Sequence, residues 1–350
     1  MNFSIKRPYI TAAIIIFVVL AIVYIEYNKP DIPSPVNEDS GEYAPDFTGI
    51  EKWINSEPLS INELKGNVVL VDFWTYTCIN CIRTLPYLKM WDEKYRDNGL
   101  IIVGVHTPEF NFEKEYENVL SAVNKYGIKY PVAQDNDYAT WNAYQNRYWP
   151  HKFLIDINGK IRYDHIGEGS YEETEKMIQL LLEERNKEKV DGITKPSEAV
   201  SAGEVGTPEI YFGYNFIRGN FGNSEGIKPE EIVSYKLPEE VAVNTVYLDG
   251  NWKNNKDDME LTSDKGTVLL VFKAKVVNIV AGSEEGSDIA VYLNEEKISG
   301  ENKGSDVING AAKITESRLY NLINKKDYEP GIIRIDVSGK GFRIYTFTFG

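Results

Sequence analysis

The chain has only two cysteines in 350 residues, Cys78 and Cys81, set two residues apart in VDFWTYTCINCIRTLPYL, residues 71–88. A pair this close can clip a metal, staple the backbone or work as a redox couple. A zinc site takes about four ligands, and no second cysteine pair joins the three scattered histidines His106, His151 and His165. A disulfide across two intervening residues closes too small a loop to gain much from chain entropy. A redox couple needs a thiolate, because the neutral thiol that prevails near pH 7 does not attack disulfides. Cys78 falls where a strand pattern gives way to a helix pattern, so its sulfur is expected at a helix N-terminus, where unpaired N–H groups and the macrodipole favour negative charge. Cys81, one turn later, is placed to close an intramolecular disulfide and release a mixed-disulfide partner. The spacing alone is only moderately specific; the surrounding elements decide.

Those elements are legible as alternating patterns. Strand signals cover NVVLVDFW (67–74), LIIVGVHT (100–107), PHKFLID (150–156) and KIRYDHI (160–166), the last two joined by an Asn158-Gly159 hairpin turn. After Cys78, Ile82, Leu85, Leu88, Trp91 and Tyr95 recur at helical spacing, and Gly99 is the expected stop. Residues 112–126 read as a second helix with Tyr116, Val119, Val123 and Tyr126 on one face and Gly127 as its stop. Ser170 with Glu173 reads as a capping box that opens a third over 171–188. This order predicts a mixed sheet flanked by helices.

VDFWTYTCINCIRTLP resembles the active-site segment of thioredoxin-fold proteins. That resemblance implies roles residue by residue. Asp72, six residues before Cys78, matches the buried acid that manages protons, here for Cys81, and a carboxylate in an apolar strand should have a raised pKa. Pro86 matches the helix-kinking proline. Trp149-Pro150 matches the cis-proline segment opposite the cysteines, with Trp149 offering backbone groups to an extended substrate. Trp74, in the motif, and His106, at a central strand's carboxyl end, are also expected to border substrate. A peroxidase is the alternative redox chemistry. Thr75 fits the Pro-x-x-x-Thr-x-x-Cys pattern of that class, but Val71 occupies the proline position.

The second half changes character. Short strand-like runs recur at TVYLDGNW (245–252), TVLLVFKAKVVNIV (267–280), DIAVYLNEEKI (288–298), GIIRIDV (331–337) and GFRIYTFTF (341–349), with a brief helical stretch at ESRLYNLIN. They predict an all-β sandwich of jelly-roll type. Tyr211, Tyr214, Tyr247 and Trp252 are its candidates for stacking on a glycan, although such aromatics more often fill a core. WTYTCINCIRTLPYL, VGVHTPEF, YWPHKFLIDINGKIRYDHIGEGSYEETE and the terminal YTFTFG are together similar to the extracytoplasmic C-terminal part of the DipZ-type thioredoxin family, over about 43–350. That family joins a thioredoxin-like domain to a carbohydrate-binding-module-like β-sandwich.

Lys6 and Arg7 precede the uncharged run YITAAIIIFVVLAIVYI, residues 9–25. As a helix it would rise about 25 Å at ~1.5 Å per residue, enough to cross a bilayer, N-terminus in and the rest outside the cytoplasm. No small-x-small cleavage site follows it, so an uncleaved anchor is expected. The predicted organisation is an anchor over 1–28, a Pro-rich tether over 29–44, an α/β thioredoxin fold over 45–188, a linker over 189–208 and the all-β domain over 209–350. The net charge of −15 and the lack of a basic stripe argue against nucleic acid. By resemblance, the expected partners are exported proteins with disulfides and a separate membrane electron donor of the DsbD/CcdA type, with no cofactor beyond the Cys78–Cys81 couple.

Overall fold

A computed structural model describes residues 41–189, 192–196, 205–217 and 219–350. The anchor run at 9–25, most of the tether and half of the linker lie outside the described residues. Among those described, no helix is long and apolar enough to cross a membrane.

The first domain is built on Val68–Trp74 (β2), whose seven residues VVLVDFW are all buried. A strand apolar at every position but Asp72 is stable only with both faces covered, so it lies at the centre of the sheet. Around it are Lys52–Ile54 (β1), Leu100–His106 (β3), Val132–Gln134 (β4), His151–Ile155 (β5) and Ile161–Ile166 (β6), in the order β1-β4-β3-β2-β5-β6. β3 runs parallel to β2 and β5 antiparallel to it. The covering helices are Ile79–Tyr95 (α1), Tyr116–Tyr126 (α2), Ala139–Ala143 (α3) and Tyr171–Asn186 (α4). α1 buries Leu85, Leu88, Trp91 and Tyr95, the stripe its spacing predicts, and carries Pro86 inside it. Gly99 and Gly127 end their helical segments with φ of 101° and 65°, values that favour glycine.

Three elements escape sequence reading. β1 and β4 are three residues long, too short to show alternation. α3 is held by Asp135, whose carboxylate accepts from the N–H groups of Thr140 (3.1 Å) and Trp141 (2.8 Å). The expected capping box at Ser170 is also absent. Its φ is 43° and its side chain makes no cap hydrogen bond, while Glu172 and Glu173 supply negative charge to the first turn. The described part of the expected linker is docked: Thr194 donates to Glu175 from its N–H (2.6 Å) and hydroxyl (2.5 Å).

The second domain is all-β, but not as two separate sheets. Among the described residues thirteen strands join in one hydrogen-bonded sheet that curls around its own core. Thr245–Asn254 makes the turn. Its first half pairs with Lys265–Lys273, its second with Ile232–Tyr235 and Met259–Leu261. Gly250, at φ 103°, stands at the changeover. Lys265–Lys273 and Pro330–Ser338 alternate buried and half-buried positions along nine paired residues, the signature of a sheet with one face in the core. ESRLYNLIN is no helix: Arg318–Asn324 pairs along Val276–Gly282. Its spacing fits either period, and cross-strand pairing decides. Trp252, Tyr247 and Tyr211 are 0%, 5% and 7% exposed, so they pack the interior and offer no sugar-stacking platform.

The domains share a buried cluster of Phe110, Tyr211, Val280 and Tyr345. Truncation of Phe110, 1% exposed, to alanine is expected to cost about 3 kcal/mol in urea unfolding of the whole chain.

Candidate functional site

Cys78 is the N-cap of α1, and its sulfur accepts the N–H of Cys81 at 3.3 Å. The Cys78 sulfur thus sits at the helix start, half-buried, while Cys81 is 1% exposed. Both are free thiols. Burial, with added contributions from Cys78 and Asp72, pushes the Cys81 thiol well above its usual range. Cys81 therefore rests protonated and needs a base before it can attack.

Asp72 supplies one. It lies in β2, 1% exposed, and desolvation raises its pKa from 3.8 to about 7, against a lowering pull from Lys152. One carboxylate oxygen has no protein hydrogen-bond partner. Lys152, also 1% exposed, is its cross-strand partner in β5. Its ammonium donates to the Gly167 carbonyl at 3.1 Å, and burial pushes its own pKa down. Sequence reading missed Lys152. The available signal was a lone cation in the apolar strand HKFLI, opposite the one acid in VVLVDFW.

The Trp149-Pro150 peptide is cis, as the match to thioredoxins implies. Trp149 is fixed by its indole N–H on the Thr107 carbonyl (3.1 Å) and by Trp141, whose ring centroid lies 4.3 Å away. It shares a cleft of about 150 Å³ with Thr77 and Cys78. The two other expected substrate neighbours lie elsewhere. Trp74 and His106 are both 0% exposed. Tyr76 stacks over His106 at 5.7 Å between centroids, and burial lowers the histidine pKa to about 3, so it stays neutral. Its Nε2 lies 3.3 Å from the Thr75 hydroxyl. Both are supports beneath the active-site loop and not substrate contacts. His151 bridges Asn146 and Asp164 at 2.8 Å each, bracing the loop before Pro150.

Glu113, 0% exposed, was also missed. It accepts the Thr77 hydroxyl (2.5 Å) and the N–H groups of Glu109 (2.6 Å) and Phe110 (2.9 Å), tying the residue before Cys78 to the next loop. Only the fold reveals it, since 36 residues separate it from Thr77.

Residues 39–181 match the redoxin family and 207–350 the thioredoxin-like C-terminal domain family. The thiol-disulfide oxidoreductase ResA of Bacillus thuringiensis is 31% identical over 39% of this chain and 74% of its own length. The chain belongs to the thioredoxin-like thiol–disulfide oxidoreductases. Protein DipZ of Mycobacterium bovis is 34% identical over 88% of this chain, which spans 43% of DipZ. YkuV of Bacillus subtilis, a thiol-disulfide oxidoreductase, is 26% identical over 40% of this chain and 94% of its own. The crystal structure of thioredoxin-like superfamily protein SPOA0173 matches 40% of the chain and 96% of its own at 27% identity and TM-score 0.38.

Within this oxidoreductase the acid–lysine pair can be tested directly. Lys152 lowers the Asp72 pKa, so Lys152→Met should move it upward from about 7 in a carboxyl NMR titration. Stability carries the same signature. An acid whose pKa is about 7 folded and 3.8 free holds its proton more tightly when folded. Its contribution to stability is full below about pH 4 and lost as pH rises through 7. Asp72→Asn should therefore unfold at higher urea than wild type at pH 8, by about 4 kcal/mol, with the gain vanishing near pH 4.

Proposed function

We propose that the protein reduces disulfides of exported proteins outside the cell membrane, anchored by the apolar run at 9–25, with Cys78 as nucleophile and Cys81 as resolving thiol. The observation that carries this reading is the stack of Cys78 in the cleft, Cys81 buried behind it with its proton, and Asp72 poised near neutrality beneath. The N-terminal charge pattern and the likeness to DipZ support the membrane setting.

The Cys78 thiolate attacks one sulfur of a substrate disulfide. The substrate S–S bond breaks, a mixed disulfide forms on Cys78, and the other substrate sulfur leaves as thiolate. Cys81 gives its proton to the Asp72 carboxylate and attacks the Cys78 sulfur. The mixed disulfide breaks and the second substrate thiolate departs. Two electrons have passed to the substrate, and Cys78–Cys81 is left oxidised. Each turnover therefore needs an external dithiol to restore the pair, and a membrane donor of the DsbD/CcdA type is the proposed source. Disulfides of apocytochromes c are the proposed task among envelope substrates.

The roles are separable with insulin reduction driven by dithiothreitol. Cys78→Ser should abolish turnover, and Cys81→Ser should accumulate a mixed disulfide visible on non-reducing gels. A Cys78→Ser protein as active as wild type would overturn the assignment. In single turnover, resolution should rise with pH through about 7 as Asp72 ionises. Asp72→Asn should slow that step roughly 100-fold and flatten the profile.

A further inference from the structure

The contacts of the second domain converge on the loops that carry the nucleophile. Tyr76, two residues before Cys78, donates through its hydroxyl to the Ser317 carbonyl at 3.4 Å. Arg83, two residues after Cys81, donates to the Phe349 carbonyl at 3.1 Å. From the loop after β3, the N–H of Asn111 donates to Asp257 at 3.2 Å, and Glu109 accepts the Tyr211 hydroxyl at 2.8 Å. With the apolar seam at Phe110 and Tyr345, these contacts pin the second domain against the active-site edge at several separate points.

The result is a wall facing Cys78. The cleft is lined on one side by Thr77, Cys78 and Trp149 and on the other by Tyr211, Thr346 and Thr348, and it measures about 150 Å³. Ordinary small-molecule pockets begin near ~300 Å³, so the space beside Cys78 is narrow by that measure. Its far side is regular sheet. Thr346 pairs with Tyr211 on one flank and Val280 on the other, and Thr348 pairs with Asn278. Hydrogen-bonded strands do not swing aside as a loop does. Trp149 opposite is fixed by Thr107 and Trp141.

Thiol–disulfide exchange brings a substrate sulfur into bonding contact with the Cys78 sulfur. A chain one strand thick can deliver a sulfur between two walls. The convex surface of a folded protein meets the walls first. Resting on the oxidoreductase reading above, we infer that the second domain is a size filter. The Tyr211, Thr346 and Thr348 wall admits disulfides carried in extended or unfolded polypeptide and turns away disulfides held in the surface of folded proteins.

The test uses the reduced chain in single turnover against three probes: a short synthetic peptide with one internal disulfide, scrambled ribonuclease A with its disulfides intact but its fold lost, and native ribonuclease A. Each rate is divided by that of dithiothreitol on the same probe, which removes differences in intrinsic reducibility. The peptide and the scrambled protein should exceed the native protein by at least about tenfold. Tyr211→Ala, which lowers the wall, should raise the native-to-scrambled ratio by roughly tenfold. Thr348→Ala makes the same test if circular dichroism shows that Tyr211→Ala has lost its fold. Equal normalised rates in wild type, or a ratio unmoved in a folded wall variant, would overturn the filter alone. Failure on all three probes, with Cys78 still alkylated by iodoacetamide, would overturn the oxidoreductase reading and the filter with it.

Discussion

Asp72 is a carboxylate held in a strand whose seven residues are all buried, and the proposed sulfur chemistry depends on that dryness. Burial disfavours the charged form of an acid and a thiol alike, so Asp72 and Cys81 are both raised. The raising brings the acid to about 7, where a modest change of environment decides whether it holds a proton. An exposed aspartate would be permanently ionised and a poor proton donor on the return step. A buried aspartate with no cation nearby would stay protonated and be a poor acceptor. Lys152, across the ladder from it, supplies the opposing pull, and its own burial keeps the interaction unscreened.

The remaining elements hold the sulfur above this pair. β2 delivers Asp72 and then releases the chain into the turn before α1, so Asp72 and Cys78 are six residues apart on one continuous path. The helix gives Cys78 an N–H from Cys81, and its Leu85, Leu88, Trp91 and Tyr95 face anchors it to the sheet. Beside Cys78 in the same cleft, the cis-proline segment depends on the His151 bridge and on the Trp149 indole. None of these residues moves electrons, yet each removes a freedom that would blur the approach of one sulfur to another.

Much of this was legible because it is local. The CxxC spacing, Asp72, the apolar stripe of α1 and the glycine stops rest on neighbours within one or two elements, and Trp149-Pro150 was reached through a motif. What resisted reading is non-local. Lys152 acquires meaning only from the register of β5 on β2, and Glu113 only from a fold that returns it to Thr77. Trp74 and His106 were misjudged for the same reason: a position at the carboxyl end of a strand says nothing of what covers it, and Tyr76 covers His106. Arg318–Asn324 shows the complementary failure. Seven residues carry too little periodicity to resist the pairing offered by Val276–Gly282.

Glu113 joins the two scales. Its carboxylate holds Thr77, which precedes the nucleophile, and the backbone of Glu109 and Phe110, which meet the second domain. With no exposure to solvent, it can keep these partners only as a set, since a carboxylate oxygen left without a donor there would carry its full desolvation cost. The loop bearing Cys78 and the loop bearing the domain seam are therefore fixed to each other by one side chain. The wall and the sulfur share a single frame, joined through a buried carboxyl group that has no water to fall back on.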